Sequence, residues 1–109
     1  MDRLQIGLVL VNLIRNAVEA MDQTQPQKRA LTITSRAVGE EIEVAVKDSG
    51  TGVAANMQQR LFLPFQTSKP HGLGLGLALS RCIIKAHGGR LWAQANEEGG
   101  TTFFFTLQP

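Results

Sequence analysis

Cysteine is nearly missing from this chain of 109 residues, where Cys82 stands alone. No disulfide can form within the chain, which suits a reducing compartment. Clustered positive charge is missing too. The formal net charge is only +2, and without a run of lysine and arginine a nucleic-acid partner is not expected. No apolar run reaches the roughly 18 residues of a membrane span, and the first residues do not read as a signal peptide. Repeats and low-complexity stretches are absent as well. His71 and His87 have no metal-ligand spacing with Cys82, no nucleophile triad stands out, and His87 reads as a helix-end residue. What is present is ordinary for a soluble domain without direct membrane contact: 43% apolar residues in a length that fits one core. A membrane-anchored parent protein stays compatible with that reading.

Alternation marks residues 42–47, where Ile42, Val44 and Val46 take one face of a strand. Side chains two apart share a face, so Asp48 points with them toward the core. A carboxylate there is costly unless it meets a donor. Gly50 and Gly52 follow in Asp48-Ser49-Gly50-Thr51-Gly52, and residues without a Cβ let a loop approach another group closely. Two readings stay open. Asp48 awaits the N–H of a ligand, or it caps a turn or the next helix, as Asp-Ser-Gly often does.

Residues 3–22 read as a helix. Leu4, Leu8, Val11, Ile14 and Val18 form one apolar stripe, and Ile6, Val9, Leu13 and Ala20 lie nearly opposite, which predicts burial over most of the surface. Gln5, Asn12, Asn16, Glu19 and Gln23 fall in a narrow polar window between the stripes. Asn12 and Asn16 stand one turn apart, and their carbonyl oxygens suit a hard cation such as Mg²⁺. A solvated edge explains the same window without a ligand.

A polar loop over 22–29 leads to a strand over 31–35, a turn near Gly39 and the 42–47 strand, a pattern that predicts an antiparallel hairpin. A short helix is expected over 54–61, broken at Phe62-Leu63-Pro64-Phe65. Two phenylalanines around a proline make a packed loop or the anchor of a mobile neighbour. Next comes Gly72-Leu73-Gly74-Leu75-Gly76, opening a helix over 75–86 that ends at His87-Gly88-Gly89. Glycine-rich backbone at a helix start can hold phosphate, or simply form a tight turn. It is neither a Walker A loop nor a dinucleotide-binding fingerprint, because residues and context differ. Strands over 91–95 and 102–107 close the chain as a second hairpin.

Taken in order, Asn12-Leu13-Ile14-Arg15-Asn16-Ala17, Asp48-Ser49-Gly50-Thr51-Gly52, Phe62-Leu63-Pro64-Phe65 and Gly72-Leu73-Gly74-Leu75-Gly76 resemble the N, G1, F and G2 boxes of sensor histidine kinases. That family shares its nucleotide-binding fold with Hsp90, gyrase B and MutL. The resemblance covers essentially the whole chain, and residues 12–21 and 86–92 are similar in wording to the oxygen-sensor FixL type. Four boxes in this order outweigh the purely structural reading of each one.

The resemblance implies an α/β fold: a two-layer sandwich of the Bergerat ATP-binding type, with helices packed on one face of a mixed sheet. It implies ATP and Mg²⁺ as ligands. Asp48 would accept a hydrogen bond from the adenine amino group, and Gly50 and Gly52 would admit the base. Asn16 would be the Mg²⁺ ligand, with Asn12 near the phosphates and Arg15 reaching one; these three are the expected catalytic residues. Phe65, Thr67 and Lys69 would border the nucleotide, Lys69 from a short lid over 66–71. Gly72, Leu73, Gly74, Leu75 and Gly76 would supply the phosphate-facing backbone.

It further implies a catalytic and ATP-binding domain over residues 1–109 of a bacterial, cytoplasmic kinase. The γ-phosphoryl group would go to a histidine on a separate dimerisation domain, and from there to a response regulator. No phospho-accepting histidine in a dimerisation helix precedes Asn12, and the chain starts where an earlier strand pair usually ends. An excised domain with an incomplete sheet is therefore expected. An anti-sigma-type serine kinase and an ATPase of the Hsp90 or MutL class are the alternatives, with a non-catalytic nucleotide-binding module behind them. Against the ATPase stands Asn12: those relatives place a water-activating glutamate one turn before the metal-binding asparagine, and a carboxamide is no base.

Overall fold

The computed structural model of the chain describes residues 3–21, 25–50 and 76–108. Helix α1 (Arg3–Ala20) leads through a 3-10 turn (Pro26–Lys28) to strands β1 (Leu31–Val38) and β2 (Glu41–Asp48). Helix α2 (Gly76–Ala86) precedes strands β3 (Leu91–Ala95) and β4 (Thr101–Leu107). The helix expected over 54–61 lies outside the described residues.

The four strands form one sheet in the order β1-β2-β4-β3. The resemblance implied a mixed sheet; all three described pairings are antiparallel. Two of them are hairpins, and a short turn can only reverse the chain. The third follows from the insertion of β4. Strands β2 and β3 run in the same direction, yet β4 lies between them and opposes both. The layering is as expected: α1 packs on β2 and on α2, and α2 packs on β3 and β4, all on one face.

The alternating strands decide what that face buries. Register pairs Val46 with Phe103 and Val44 with Phe105, while Leu91 faces Phe105 from the other side. Val9, Leu13 and Ala17 from α1 and Ile83 and Ile84 from α2 close over them to form the core. On the opposite face Trp92 stacks on Phe104 with ring centres 5.2 Å apart, and the Arg90 guanidinium lies over the Trp92 ring. That contact covers apolar surface where no helix does.

Helix α1 departs from the expectation that both of its apolar stripes are buried. Val9, Leu13 and Ala17 are fully inaccessible, whereas Leu4 is 87% exposed and Val11 and Val18 are about half exposed, at 51% and 55%. A helix in a two-layer sandwich meets the sheet on one side and a neighbouring helix on another. Its outer side has nothing above it among the described residues.

The end of α2 follows the glycine signal. Gly88 adopts φ 77°, its N–H donates to the Lys85 carbonyl at 3.0 Å, and the Gly89 N–H donates to the Ile84 carbonyl at 2.9 Å. These paired bonds satisfy carbonyls that the helix leaves open. Replacing Gly88 by alanine forces a side chain into the left-handed region, and we expect a loss of about 1–2 kcal/mol in denaturant unfolding. An unchanged midpoint would contradict the cap geometry.

Candidate functional site

Asp48 is the last residue of β2 and only 1% exposed. Its face is that of Val44 and Val46, which drives it under the helices rather than into water. One carboxylate oxygen is fully occupied: Oδ1 accepts from the Gly50 N–H at 2.9 Å and from the Thr101 N–H at 3.2 Å. The other oxygen, Oδ2, is buried and has no partner among the described residues. Oδ1 holds the turn, as Asp-Ser-Gly suggests, while Oδ2 meets no donor among the described residues. A buried carboxylate oxygen in that position calls for a donor, and an N–H group of a ligand fits it.

Glycines seal the surroundings. A Cβ on Gly50 would stand 2.4 Å from the Ala20 carbonyl oxygen, so the segment after β2 lies directly against the end of α1. Ser49 fixes the other side, its hydroxyl donating to the Lys28 carbonyl at 2.7 Å and accepting from the Ala30 N–H at 2.8 Å.

Asn12 and Asn16 occupy the half-buried polar side of α1. Asn12 Nδ2 donates to Ser80 Oγ at 3.2 Å and weakly to the Gly76 carbonyl at 3.4 Å, which joins α1 to the first turn of α2. Gly76 packs on the same amide, with a Cβ there meeting Asn12 Cγ at 3.7 Å. The structure therefore brings Asn12 to Gly76 at one point of α1, and Gly50 with Asp48 to Ala20 at another. Helix rise separates Asn12 from Ala20 by about 12 Å along the axis, with Asn16 midway. Arg15 is exposed, toward the α1 side that carries the half-exposed Val11 and Val18. Gly52, Phe65, Thr67, Lys69, Gly72, Leu73, Gly74 and Leu75 lie outside the described residues.

Two residues that sequence reasoning passed over belong to this region. Thr101, only 2% exposed, donates its N–H to the Asp48 carboxylate and has a buried hydroxyl without a partner among the described residues. Its signal was a polar residue two positions before Phe103 on the core face of an alternating strand. Asn96 holds the β3–β4 turn against Asp48, with Nδ2 donating to the Asp48 carbonyl at 3.0 Å. Nothing in the sequence brings residues 48 apart together.

Over residues 1–109 the chain matches the family described as histidine kinase-, DNA gyrase B-, and HSP90-like ATPase. It is 51% identical over 107 residues to the sensor protein FixL of Bradyrhizobium diazoefficiens, which covers 97% of this chain and 21% of that protein. Among solved structures, the catalytic domain of histidine kinase ThkA superposes with a TM-score of 0.85 at 36% identity, covering 98% of this chain and 68% of the other. Full-length ShkA in complex with AMPPNP superposes at 0.78 with 27% identity, covering 94% and 21%. The chain belongs to the histidine kinase-, gyrase B- and HSP90-like ATPase family, and among its members it is similar to sensor histidine kinases. It spans about a fifth of the length of FixL.

The unpartnered Thr101 hydroxyl yields a stability test. A buried hydroxyl without a partner already carries its desolvation cost, so Thr101→Val, of similar shape, should leave stability unchanged or raise it. A loss above about 1 kcal/mol in thermal unfolding would mean that the hydroxyl is bonded.

Proposed function

We propose that this chain is the ATP-binding catalytic domain of a sensor histidine kinase, donating the γ-phosphoryl group of ATP to a histidine on a separate dimerisation domain. The observation that carries the reading is the buried Oδ2 of Asp48, without a partner among the described residues, at the end of α1 where Gly50 presses on Ala20. A carboxylate accepts and never donates, so it selects a ligand edge bearing an N–H, such as the amino group of adenine. Thr101, whose N–H bonds Oδ1, adds a second buried polar atom without a partner among the described residues. The AMPPNP complex of ShkA supports a nucleotide as the occupant.

From Asp48 the polar side of α1 leads past Asn16 to Asn12 and the start of α2, and the triphosphate would follow that direction. A helix leaves its first backbone N–H groups without intrahelical partners and places the positive end of its dipole there, so the start of α2 suits a phosphate. Gly52 would admit the base, and Phe65, Thr67, Lys69 and the backbone of Gly72, Leu73, Gly74, Leu75 and Gly76 would enclose the phosphates. Asn16 would hold Mg²⁺ through its amide oxygen, and the ion supplies charge neutralisation at the phosphates. Asn12 keeps the phosphates near α2, and Arg15 would have to turn inward to reach them.

Phosphoryl transfer asks the protein for alignment and charge stabilisation more than for covalent help. A bond forms from the acceptor imidazole to the γ-phosphorus as the bond to the bridging oxygen breaks, and ADP leaves. Asn12, whose amide already donates to Ser80, cannot take a proton from water. Transfer to a side chain is accordingly favoured over hydrolysis. The acceptor would lie on the dimerisation domain of a cytoplasmic parent kinase, with a response regulator as the next recipient.

Calorimetric titration with ADP tests the reading. Binding on the order of tens of micromolar, about 6 kcal/mol, is expected, and Asp48→Asn should weaken it by about 1–3 kcal/mol. Unchanged affinity would remove the adenine assignment. Asn16→Ala should alter the Mg²⁺ dependence of binding more than the affinity without Mg²⁺; an unaltered dependence would place the ligand elsewhere. Steady phosphate release from ATP without any acceptor would favour the ATPase alternative.

A further inference from the structure

The turn between β3 and β4 is tied to Asp48 more closely than a surface turn needs to be. Asn96 is the knot. Its Nδ2 donates to the Asp48 carbonyl at 3.0 Å and to the Gly99 carbonyl at 3.3 Å. Its Oδ1 accepts from the Thr102 hydroxyl. The Asn96 N–H donates to the Gly100 carbonyl at 3.0 Å, and its own carbonyl accepts from the Gly99 N–H at 3.2 Å. The orientation of the amide is fixed by its neighbours, because the two carbonyls can only accept.

The consequence reaches the carboxylate. Gly100 adopts φ 88°, and a Cβ there would fall 2.2 Å from the Asp48 carbonyl oxygen. The turn therefore lies flat on the Asp48 peptide, and the next residue, Thr101, delivers its N–H to Oδ1 at 3.2 Å. With Gly50 bonding the same oxygen, the carboxylate cannot rotate without losing two hydrogen bonds. Oδ2 is thereby the one oxygen left to face a ligand.

We propose that Asn96 is a positioning residue for nucleotide recognition. By holding the β3–β4 turn on Asp48 it fixes which carboxylate oxygen is presented, and so sets the preference for a purine bearing an amino group over one bearing an oxygen at the same place. The inference rests on the assignment of adenine to Asp48. Adenine places an N–H donor against Oδ2. Hypoxanthine places a carbonyl oxygen there, which a fixed acceptor repels and a carboxylate free to turn tolerates.

The test compares ADP with inosine diphosphate, by calorimetry, on the intact chain and on Asn96→Asp, Asn96→Ala and Asp48→Asn variants, each checked for folding by its melting transition. The wild type should prefer ADP, and Asp48→Asn should abolish the preference. Asn96→Asp keeps the shape but removes the donor and sets oxygen against oxygen. It should reduce the preference by about tenfold, the scale of one lost hydrogen bond, through weaker ADP binding with little change for inosine diphosphate. Should the aspartate variant not fold, Asn96→Ala carries the same expectation. In the Asp48→Asn background, the Asn96 change should remove no further preference. Equal losses for both nucleotides would leave Asn96 a purely structural turn residue and overturn the proposal, as would no loss for either. A wild type without preference, or an Asp48→Asn variant that retains it, would instead remove the adenine assignment, and this inference with it.

Discussion

A carboxylate buried to 1% exposure at the end of a strand is the constraint around which the neighbouring elements are arranged. Left alone, such a group would cost several kcal/mol in lost hydration. Two backbone N–H groups meet one of its oxygens, and they come from distant parts of the sequence: Gly50 just after β2, and Thr101 at the start of β4. Supplying the second donor requires β4 to lie beside β2, and the β3–β4 turn to press on the Asp48 peptide. The positive φ at Gly100 and the five hydrogen bonds made by Asn96 are what that pressure needs. The strand order and the site share one cause.

Helix α1 connects this anchor to the rest of the site. Its inner side, Val9, Leu13 and Ala17, is locked into the core by Val46, Phe103 and Phe105. Core packing of this kind fixes the helix axis and its rotation. With rotation fixed, Asn12 must face α2 and Asn16 must lie between Asn12 and the Gly50 contact. The apolar residues thereby position the polar ones, and the two asparagines need no mutual contact to be held in line.

Much of the local structure was legible in the sequence because alternation and the 3.6-residue period are local signals. The hairpins, both helices and the glycine cap of α2 followed from them. Less was legible where the answer depended on what lies above or beside an element. Periodicity found two apolar stripes on α1 but could not say that, among the described residues, it is the one bearing Val9 and Leu13 that is covered. Likewise, the insertion of β4 between β2 and β3 has no local signature, so the meeting of Thr101 and Asn96 with Asp48 was hidden. Asp48 itself was read in two ways, as a turn-former and as a ligand acceptor. Its two oxygens accommodate one reading each: the first is seen in Oδ1, and the second is the reading proposed for Oδ2.

The central claim is that Oδ2 of Asp48 receives the amino group of adenine. A crystal structure of the chain with ADP tests it most directly. The account predicts the exocyclic nitrogen at about 2.7–3.2 Å from Oδ2, with Oδ1 still bonded by Gly50 and Thr101. A well-ordered nucleotide whose base lies elsewhere, leaving Oδ2 bare, would contradict it.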